Sequence, residues 1–330
     1  MRVAQLGTGR IGAMHAEILA RLVEPRSLVV ADVDTERAQA VAAAVGAEAA
    51  DIGAAIEQAD ALVIAASSTA HPELIRAGIG RGIPIFCEKP LATNLDETQR
   101  LVDEIEASGS PFQLGFQRRF DAAYREARRL VEDGSLGRLY VLRLAGHDPA
   151  PPHEAYIPAS GGIFNDFSVH DFDVTRWLSG QEIEEVYADG GVLGFPMFAT
   201  YDDVDTAVAT LRLSGGTRAI LSVTRHDPLG YDIRTELFGS GDSVSIGLGP
   251  RTPMRSLEPG VPPPAGPAWS MFIDRFRDAY HQELQAFLRV ARGEEESACT
   301  ARDGLEAVRV AIAATRSMHE HRPVRISEVT

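Results

Sequence analysis

The sequence is poor in cysteine, and its two cysteines form no pattern. Among 330 residues only Cys87 and Cys299 occur, far apart in the chain. Two isolated cysteines make neither a disulfide framework nor a zinc signature, and neither has a neighbouring histidine that would suggest a nucleophile. Cys87 lies in the apolar run IPIFCEK and is predicted to be a buried small apolar residue. Such cysteine usage favours a reducing, cytoplasmic location.

Long apolar runs and positive charge are also scarce. No stretch of about 18 apolar residues occurs, so no transmembrane helix is expected. The segment MRVAQLGTGRIG leads directly into a strand-like run and lacks the pattern of a secretory signal. Lys and Arg number 32 against 47 Asp and Glu, which gives a formal net charge of −15. This charge argues against nucleic acid and anionic membranes as partners, but it does not identify a substrate.

A glycine pattern stands between a predicted strand, RVAQLG, and a predicted helix, AMHAEILARL. Gly7, Gly9 and Gly12 give G-x-G-x-x-G. In such a loop the first glycine allows a tight turn, the second lets the backbone approach a pyrophosphate, and the third lets the helix pack closely. The pattern therefore predicts a dinucleotide site that also includes Arg10 and Ile11, although an empty glycine turn in an α/β domain is the alternative.

The second predicted strand, SLVVADVD, indicates which dinucleotide binds. It carries Asp32 near its end, 20 residues after Gly12. A carboxylate at this place accepts hydrogen bonds from the adenosine ribose and repels a 2′-phosphate, which predicts NAD in preference to NADP. Arg37 is close enough in sequence to leave NADP open.

Strands and helices continue to alternate up to about residue 120. Further strands are predicted at 61–67, 83–89 and 111–116, each separated from the next by a helical pattern. This alternation predicts a doubly wound parallel sheet, the Rossmann arrangement, over residues 1–120. The remaining residues, 121–330, are assigned to a second domain.

Ligands of doubly wound sheets bind at the carboxyl ends of the strands. Ser67, Thr69, Glu88 and Lys89 follow such ends and are expected to face the cofactor. Pro90 disfavours a helical conformation at Lys89 and keeps that residue extended. An ordinary surface lysine is the alternative interpretation.

From about residue 138 the pattern changes to short strands separated by turns. Strands are predicted at 138–148, 182–194, 204–214, 217–227, 231–240 and 242–248. Their short connections predict a largely antiparallel sheet and hence an α+β second domain. Helical patterns follow near 270–292 and 301–320, after a proline- and glycine-rich loop at 259–268.

One predicted helix, GGIFNDFSVHDFDVTRWL (161–178), carries a cluster of polar groups. On an α-helix Asp166, His170, Asp173 and Trp177 lie along one stripe, and Asp171 falls on the apolar side. Asp166 is then close enough to hydrogen-bond to His170 and orient its imidazole. A solvated helix face and a metal site are the alternatives, but zinc sites are richer in His or Cys, so no metal is expected.

Three motifs together carry a family resemblance. GTGRIG, CEKPLA and GGIFNDFSVHDFD make the chain resemble the glucose-fructose oxidoreductase / inositol dehydrogenase (Gfo/Idh/MocA) family, over nearly its whole length. The resemblance implies a Rossmann domain plus a domain with a large, mostly antiparallel open sheet, and a homo-oligomer, a tetramer or dimer. FCEKPLAT, GFQRRFD and GYDIRTELFG resemble inositol 2-dehydrogenases, which implies oxidation of myo-inositol to 2-keto-inositol in carbohydrate catabolism.

The resemblance also implies roles for individual residues. Lys89 corresponds to the lysine of the family's EKP motif, and Asp166 and His170 to its D-x-x-x-H motif. These three are the expected catalytic residues, with His170 as general base and Lys89 polarising the reacting oxygen. His147 and Tyr231 are the expected further substrate contacts. His153 and Tyr156, in the proline-rich stretch after His147, are additional candidates.

Other functions stay open at this point. A sugar or anhydrosugar dehydrogenase of the same family would use the same residues on another substrate. An NAD-dependent glycoside hydrolase or lyase would retain the cofactor through its cycle and give no net NADH. A non-catalytic NAD sensor is the third alternative, although a sensor has no need of acid–base groups at the nicotinamide.

Overall fold

The computed structural model describes residues 1–329, which divide into two compact units. The first unit comprises Met1–Phe120 and Asp278–Leu305, and the second comprises Asp121–Arg277 and the residues from Glu306 onward. The sequence analysis placed all of 121–330 in the second domain, so the return of Asp278–Leu305 to the first unit is a correction. No sequence motif marks this return, which depends on tertiary packing of a helical segment.

Two contacts show how the returning segment joins the first unit. The ring of Phe287 lies 5.7 Å, centroid to centroid, from the ring of Phe86, and both side chains are fully buried. The side-chain amide of Gln113 donates a hydrogen bond of 2.9 Å to the backbone carbonyl of Glu283. The segment therefore completes the apolar core beside the last strands of the first unit.

The first unit is a parallel sheet with helices in its crossovers. Its elements in chain order are β1 (Val3–Leu6), α1 (Arg10–Leu22), β2 (Leu28–Ala31), α2 (Thr35–Val45), β3 (Glu48–Ala49), α3 (Ile52–Gln58), β4 (Ala61–Ile64), α4 (His71–Arg81), β5 (Ile85–Glu88), α5 (Leu95–Ser108) and β6 (Phe112–Gly115). The strands lie in the order β3-β2-β1-β4-β5-β6. Successive strands are added on one side of β1 up to β3 and on its other side from β4 onward. The Rossmann prediction is confirmed, and the switch point of the sheet lies at the end of β1.

Local sequence explains most of these boundaries. Strands β1, β2 and β4 are continuous apolar or buried runs, as expected where helices cover both faces of a parallel sheet. Helix α5 begins after Asn94, whose side chain accepts a hydrogen bond from the Glu97 N–H at 2.9 Å. It ends at Gly109, which has a left-handed conformation. The two-residue strand β3 was not predicted, because it is too short to show a period.

The second unit is built around one larger sheet. The elements that follow β6 in the chain are α6 (Ala122–Glu132), β7 (Leu139–His147), α7 (Ile157–Ser160), α8 (Val169–Ser179), β8 (Ile183–Gly191), β9 (Thr206–Leu213), β10 (Arg218–Thr224), β11 (Asp232–Gly239), β12 (Ser243–Ile246), α9 (Phe272–Ala291), α10 (Ala301–Glu320) and β13 (Val324–Arg325). Helices α9 and α10 each cross a boundary between the units.

The larger sheet has the order β12-β11-β7-β10-β9-β8-β13. Within residues 1–329 its neighbouring strands are antiparallel, except that β7 and β10 are parallel. The prediction of a mostly antiparallel sheet is thus confirmed. The parallel pair brings the carboxyl ends of β7 and β10 to the same edge, with His147 opposite Thr224.

The larger sheet has one buried and one exposed face. Leu211 and Leu221 point inward and are buried, whereas Tyr187, Val208 and Ile220 are roughly half exposed. This alternation follows the period of two along a strand. None of the helices among residues 1–329 is long and apolar enough to cross a membrane.

Candidate active site

The glycine loop at the switch point has the geometry of a phosphate cradle. Gly7 has a φ of +96°, and a Cβ there would lie 2.5 Å from the Ala65 carbonyl oxygen. A Cβ on Gly12 would lie 2.1 Å from the carbonyl oxygen of Gly7, so helix α1 can pack here only on glycine. Gly9 differs, because within residues 1–329 no atom outside its own stretch of chain lies within 4 Å of its Cβ position. The open space at Gly9, beside the N-terminus of α1, fits a bound pyrophosphate.

Asp32 lies just beyond β2 and is held by the same loop. Its carboxylate accepts hydrogen bonds from the backbone N–H and hydroxyl of Thr8, from the N–H of Asp34 at 2.9 Å, and from Arg37 at 2.8 Å. Burial raises the pKa of Asp32, but these hydrogen bonds more than offset it, so the pKa is below its usual value. The residue is therefore an anion at neutral pH.

The ends of β4 and β5 are joined through a histidine that the sequence analysis missed. The imidazole of His71 lies 2.7 Å from the Pro90 carbonyl oxygen and 3.1 Å from that of Ala66. Burial lowers the pKa of His71 more than these carbonyls and Glu88 raise it. The ring is therefore neutral near pH 7 and donates its single N–H to one of the two carbonyl oxygens, of which that of Pro90 is the nearer. The signal in the sequence was a histidine directly before Pro72 at a helix start, which is too common to be specific.

Glu88 ends β5 and Lys89 follows it, and two buried residues lie near Glu88. Its carboxylate lies 2.8 Å from Nε2 of His15, a residue fully buried in α1. Glu283, in the returning segment, is also fully buried. Burial raises the pKa of Glu283 well above its usual value, and the charge of Glu88 raises it further. Ser67 and Thr69 follow β4, with their hydroxyl oxygens 3.1 Å apart. Lys89 is half-buried beside this group.

The helix predicted over 161–178 is not a uniform α-helix. Phe164–Ser168 form a π-helical turn, and the α-helix α8 begins only at Val169. The wider turn changes the angle between Asp166, which lies within it, and the residues of α8. The predicted stripe therefore keeps its α-helical spacing from His170 onward but not back to Asp166. Asp166 and His170 are half-buried, but Asp173 is as fully buried as Asp171.

Asp166 is held by partners outside its own helix. One carboxylate oxygen accepts a hydrogen bond of 2.8 Å from the Tyr156 hydroxyl. The other lies 2.9 Å from Nη1 of Arg225, a residue that the sequence analysis did not single out. Tyr156 belongs to the proline-rich stretch, where His153 instead caps a short turn by accepting from the Ala155 N–H. The Asp166 carboxylate is therefore fixed by the buried guanidinium of Arg225 and the hydroxyl of Tyr156. Asp166 precedes His170 by four residues in the chain.

His147 and Tyr231 lie close together at the same edge of the larger sheet. His147 ends β7 and pairs with Asp232, the residue after Tyr231. Its Nδ1 lies 3.7 Å from Asp227 and 3.8 Å from Asp232, and its Nε2 lies 3.3 Å from the Ser222 hydroxyl. Two carboxylates thus lie near Nδ1 of His147 without a direct hydrogen bond to it. The side chain of Tyr231, which precedes Asp232 in the chain, is buried.

Comparisons with known proteins match both parts of the chain. The family model described as "Oxidoreductase family, NAD-binding Rossmann fold" matches residues 1–116, and "GFO/IDH/MocA C-terminal domain" matches residues 124–245. Myo-inositol dehydrogenase Hyg17 of Streptomyces leeuwenhoekii is 41% identical, over 96% of this chain and 97% of its own. Myo-inositol 2-dehydrogenase of Thermotoga maritima is 36% identical, over 100% of this chain and 99% of its own.

A solved structure adds a ligand-bound relative. Scyllo-inositol dehydrogenase from Lactobacillus casei, with bound NAD(H) and scyllo-inositol, superposes with a TM-score of 0.86. It is 27% identical in sequence and covers 99% of both chains. The backbone fold of this chain is thus similar, over 99% of its length, to that of an enzyme solved with NAD(H) bound.

Proposed function

We propose that this chain, which belongs to the Gfo/Idh/MocA family of oxidoreductases with an NAD-binding Rossmann fold, is an inositol 2-dehydrogenase. It would oxidise a secondary hydroxyl of a cyclic polyol, myo-inositol, to a ketone. The observation that carries the proposal is the placement of Asp166, held by Tyr156 and Arg225, four residues before His170. The names of the relatives support an inositol as the substrate.

The cofactor assigned to the first unit is NAD. Gly7, Gly9, Arg10, Ile11 and Gly12 would hold its pyrophosphate, and Asp32 would accept hydrogen bonds from its ribose. Ser67, Thr69, Glu88 and Lys89, at the ends of β4 and β5, would line the nicotinamide half. Bound NAD supplies hydride acceptance, and the protein supplies orientation.

The protein's own part in the reaction is proton transfer. His170 would accept the proton of the substrate hydroxyl as general base, a role that contributes on the order of 10²–10⁴ in rate. Asp166 would hold the imidazole in the required orientation and stabilise its protonated form. Lys89 would donate a hydrogen bond to the same substrate oxygen and stabilise its developing negative charge.

The polyol ring offers several further hydroxyls, and the His147 group is suited to bind one of them. Nδ1 of His147 lies near Asp227 and Asp232, so its Nε2 can donate to or accept from a hydroxyl beside Ser222. Tyr231 is proposed as a second contact. Neither residue would take part in the proton transfer itself.

A homo-oligomer, tetramer or dimer, is proposed as the assembly. Half-exposed apolar side chains on the open face of the larger sheet, among them Val208 and Ile220, support it. Light scattering coupled to gel filtration would measure the mass, for which a 35.6 kDa particle would contradict the proposal.

The central experiment measures NADH formation with NAD and a panel of myo-inositol, scyllo-inositol, glucose, galactose and levoglucosan. Turnover with an inositol is expected to exceed that with each sugar. Turnover only with a sugar would be consistent with the proposed mechanism but would contradict inositol as the substrate. Cleavage of a chromogenic glycoside without net NADH would favour a hydrolase, and NAD binding with no turnover would favour a sensor.

Substitutions test the assigned residues. His170→Ala, Asp166→Asn and Lys89→Ala are each expected to reduce kcat by about 10²-fold or more, while the Kd for NAD changes little. His319→Ala is the matched control, because His319 is exposed on α10. Unchanged turnover of His170→Ala would refute the proposed role of this residue.

A further inference from the structure

A buried arginine lies beside the carboxylate assigned to proton transfer. Arg225 directly follows β10, and only 3% of its side chain is exposed. Its Nη1 lies 2.9 Å from one oxygen of Asp166 and 3.5 Å from an oxygen of Asp148. Its backbone N–H donates a hydrogen bond of 2.8 Å to the Asp205 carbonyl. Arg225 is thus fixed both at its backbone N–H and at its guanidinium group.

The unusual parallel pair of the sheet creates this arrangement. Because β7 and β10 run in the same direction, the residues that follow them leave the sheet side by side. Asp148 follows β7 and donates its N–H to the Thr224 carbonyl at 2.9 Å. The guanidinium carbon of Arg225 also lies 5.9 Å from the ring centre of Phe167, the neighbour of Asp166 in the π-helical turn.

The surroundings keep Arg225 charged. Burial lowers the pKa of Arg225, but the carboxylates of Asp166, Asp148 and Asp203 more than offset it, so the pKa is raised. A permanent positive charge therefore lies against Asp166 at every pH at which the protein is folded.

Other titratable groups face Asp166 or lie on the elements packed around it. Tyr156 donates to its second oxygen, and His170 follows it in the chain. Asp171 and Asp173 are buried in α8, and His147 lies between Asp227 and Asp232 at the ends of β7 and β11. Arg225 is the fixed charge among them that contacts Asp166 directly, because the other groups can gain or lose a proton.

We propose that Arg225 is a positioning residue for proton transfer, which holds the Asp166 carboxylate in place and lowers the proton affinity of the Asp166–His170 pair. The inference rests on the proposed function. A carboxylate beside an imidazole favours the protonated ring, which cannot act as a base. A neighbouring cation opposes that effect, so His170 stays unprotonated and active at neutral pH.

The test is the pH dependence of kcat/KM with NAD and the substrate found in the panel. In Arg225→Gln the ascending limb is expected to move upward by about one pH unit, which lowers kcat/KM about tenfold at pH values on that limb, below the pKa of the parent, and restores it at higher pH. Arg225→Lys keeps the charge and should move the limb less. Arg218→Gln, an exposed arginine on the same strand, should leave it in place.

Recovery at high pH separates this role from a purely structural one. A uniform loss of kcat/KM at all pH values, with the limb unmoved, would overturn the inference. If Arg225→Gln does not fold, Arg225→Met, which also removes the charge, carries the test: an upward shift supports the inference and an unmoved limb overturns it. An NMR titration of ¹³C-labelled histidine, assigned with His170→Asn, should show the same upward shift for His170 without substrate.

The two proposals fail in different ways. Full activity in His170→Ala would overturn the proposed function, and the inference about Arg225 with it. An essential His170 combined with an unmoved limb in the variant that removes the Arg225 charge would overturn the inference alone.

Discussion

Thr8 donates two hydrogen bonds to one oxygen of Asp32, from its backbone N–H at 2.6 Å and from its hydroxyl at 2.8 Å. The second residue of the glycine loop is thereby joined to the acidic residue after β2. The phosphate end and the ribose end of the predicted dinucleotide site are held as one rigid group. Arg37, about half exposed, contacts the other oxygen of Asp32.

Asp32→Asn is predicted to shift cofactor preference toward NADP. The substitution removes the charge that repels a 2′-phosphate and releases Arg37 to bind one. The ratio of the Kd values for NADP and NAD should fall by about tenfold or more, a change of about 1.4 kcal/mol. Isothermal titration calorimetry measures both constants. The double variant Asp32→Asn/Arg37→Gln should lose the gain for NADP; if it keeps that gain, Arg37 has no part in it.

Gly9→Ala is predicted to weaken NAD binding, whereas Gly12→Ala is predicted to lower the stability of the fold. Gly9 has an ordinary φ of −64° and open space at its Cβ position. The free energy of unfolding of the alanine variant should therefore differ from that of the parent by no more than about 0.5 kcal/mol. Its Kd for NAD should nevertheless rise. Gly12→Ala forces α1 away from the Gly7 carbonyl and should cost about 1–3 kcal/mol or more. Thermal unfolding with and without NAD separates the two, and an unaltered Kd for Gly9→Ala would contradict the cradle.

Glu283→Gln is predicted to make the protein less sensitive to alkaline pH. The folded-state pKa of Glu283 lies above the ordinary value of 4.5, so the native state binds more protons than the unfolded state over the interval between the two values. Glu283 therefore costs no stability below about pH 4.5 and an increasing amount as pH rises through that interval. Glutamine carries no such cost.

The measurement for Glu283 is Tm from pH 5 to pH 9. The difference in Tm between Glu283→Gln and the parent should grow with pH, since a change of 1 kcal/mol shifts Tm by about 2–4 °C in chains of this order. Glu57→Gln, an exposed glutamate of the same unit, serves as the control and should give no such trend. A difference that is constant across this range would refute the assignment of a raised pKa.

His147→Gln is predicted to affect substrate binding more than chemistry. Removal of the imidazole near Asp227 and Asp232 leaves a ring hydroxyl without its partner, so KM for the polyol should rise about tenfold. The kcat should change little, because proton transfer is assigned to His170. Steady-state kinetics beside His319→Gln provide the check, and a fall in kcat at unchanged KM would place His147 in the chemical step instead.

Local spacing was sufficient to predict the cofactor half of the site. The turn at Gly7, the close packing at Gly12 and the position of Asp32 all depend on residues within one strand–loop–helix unit. The hydrogen bond from the Glu97 N–H to Asn94 was predictable for the same reason. Such features follow from short-range geometry, which the sequence displays directly.

The partners of Asp166 could not be predicted in this way. Arg225 reaches Asp166 because β7 and β10 pair in parallel, and the short connections that predicted a largely antiparallel sheet did not indicate which pair is parallel. The π-helical turn at Phe164–Ser168 also has no marker in an apolar pattern that fits an α-helix equally well. The role of Asp166 came from a family motif, whereas its environment came from long-range contacts.

The return of Asp278–Leu305 to the first unit has a consequence for synthesis in the cell. The Rossmann sheet is encoded by the first 116 residues or so, but its core is complete only when Phe287 reaches Phe86. At about 5–20 residues per second, translation needs about 10–40 s to proceed from β6 to Leu305. During this time the nascent sheet exposes the apolar surface that Phe287 later covers, and cellular chaperones have their main opportunity to bind the chain.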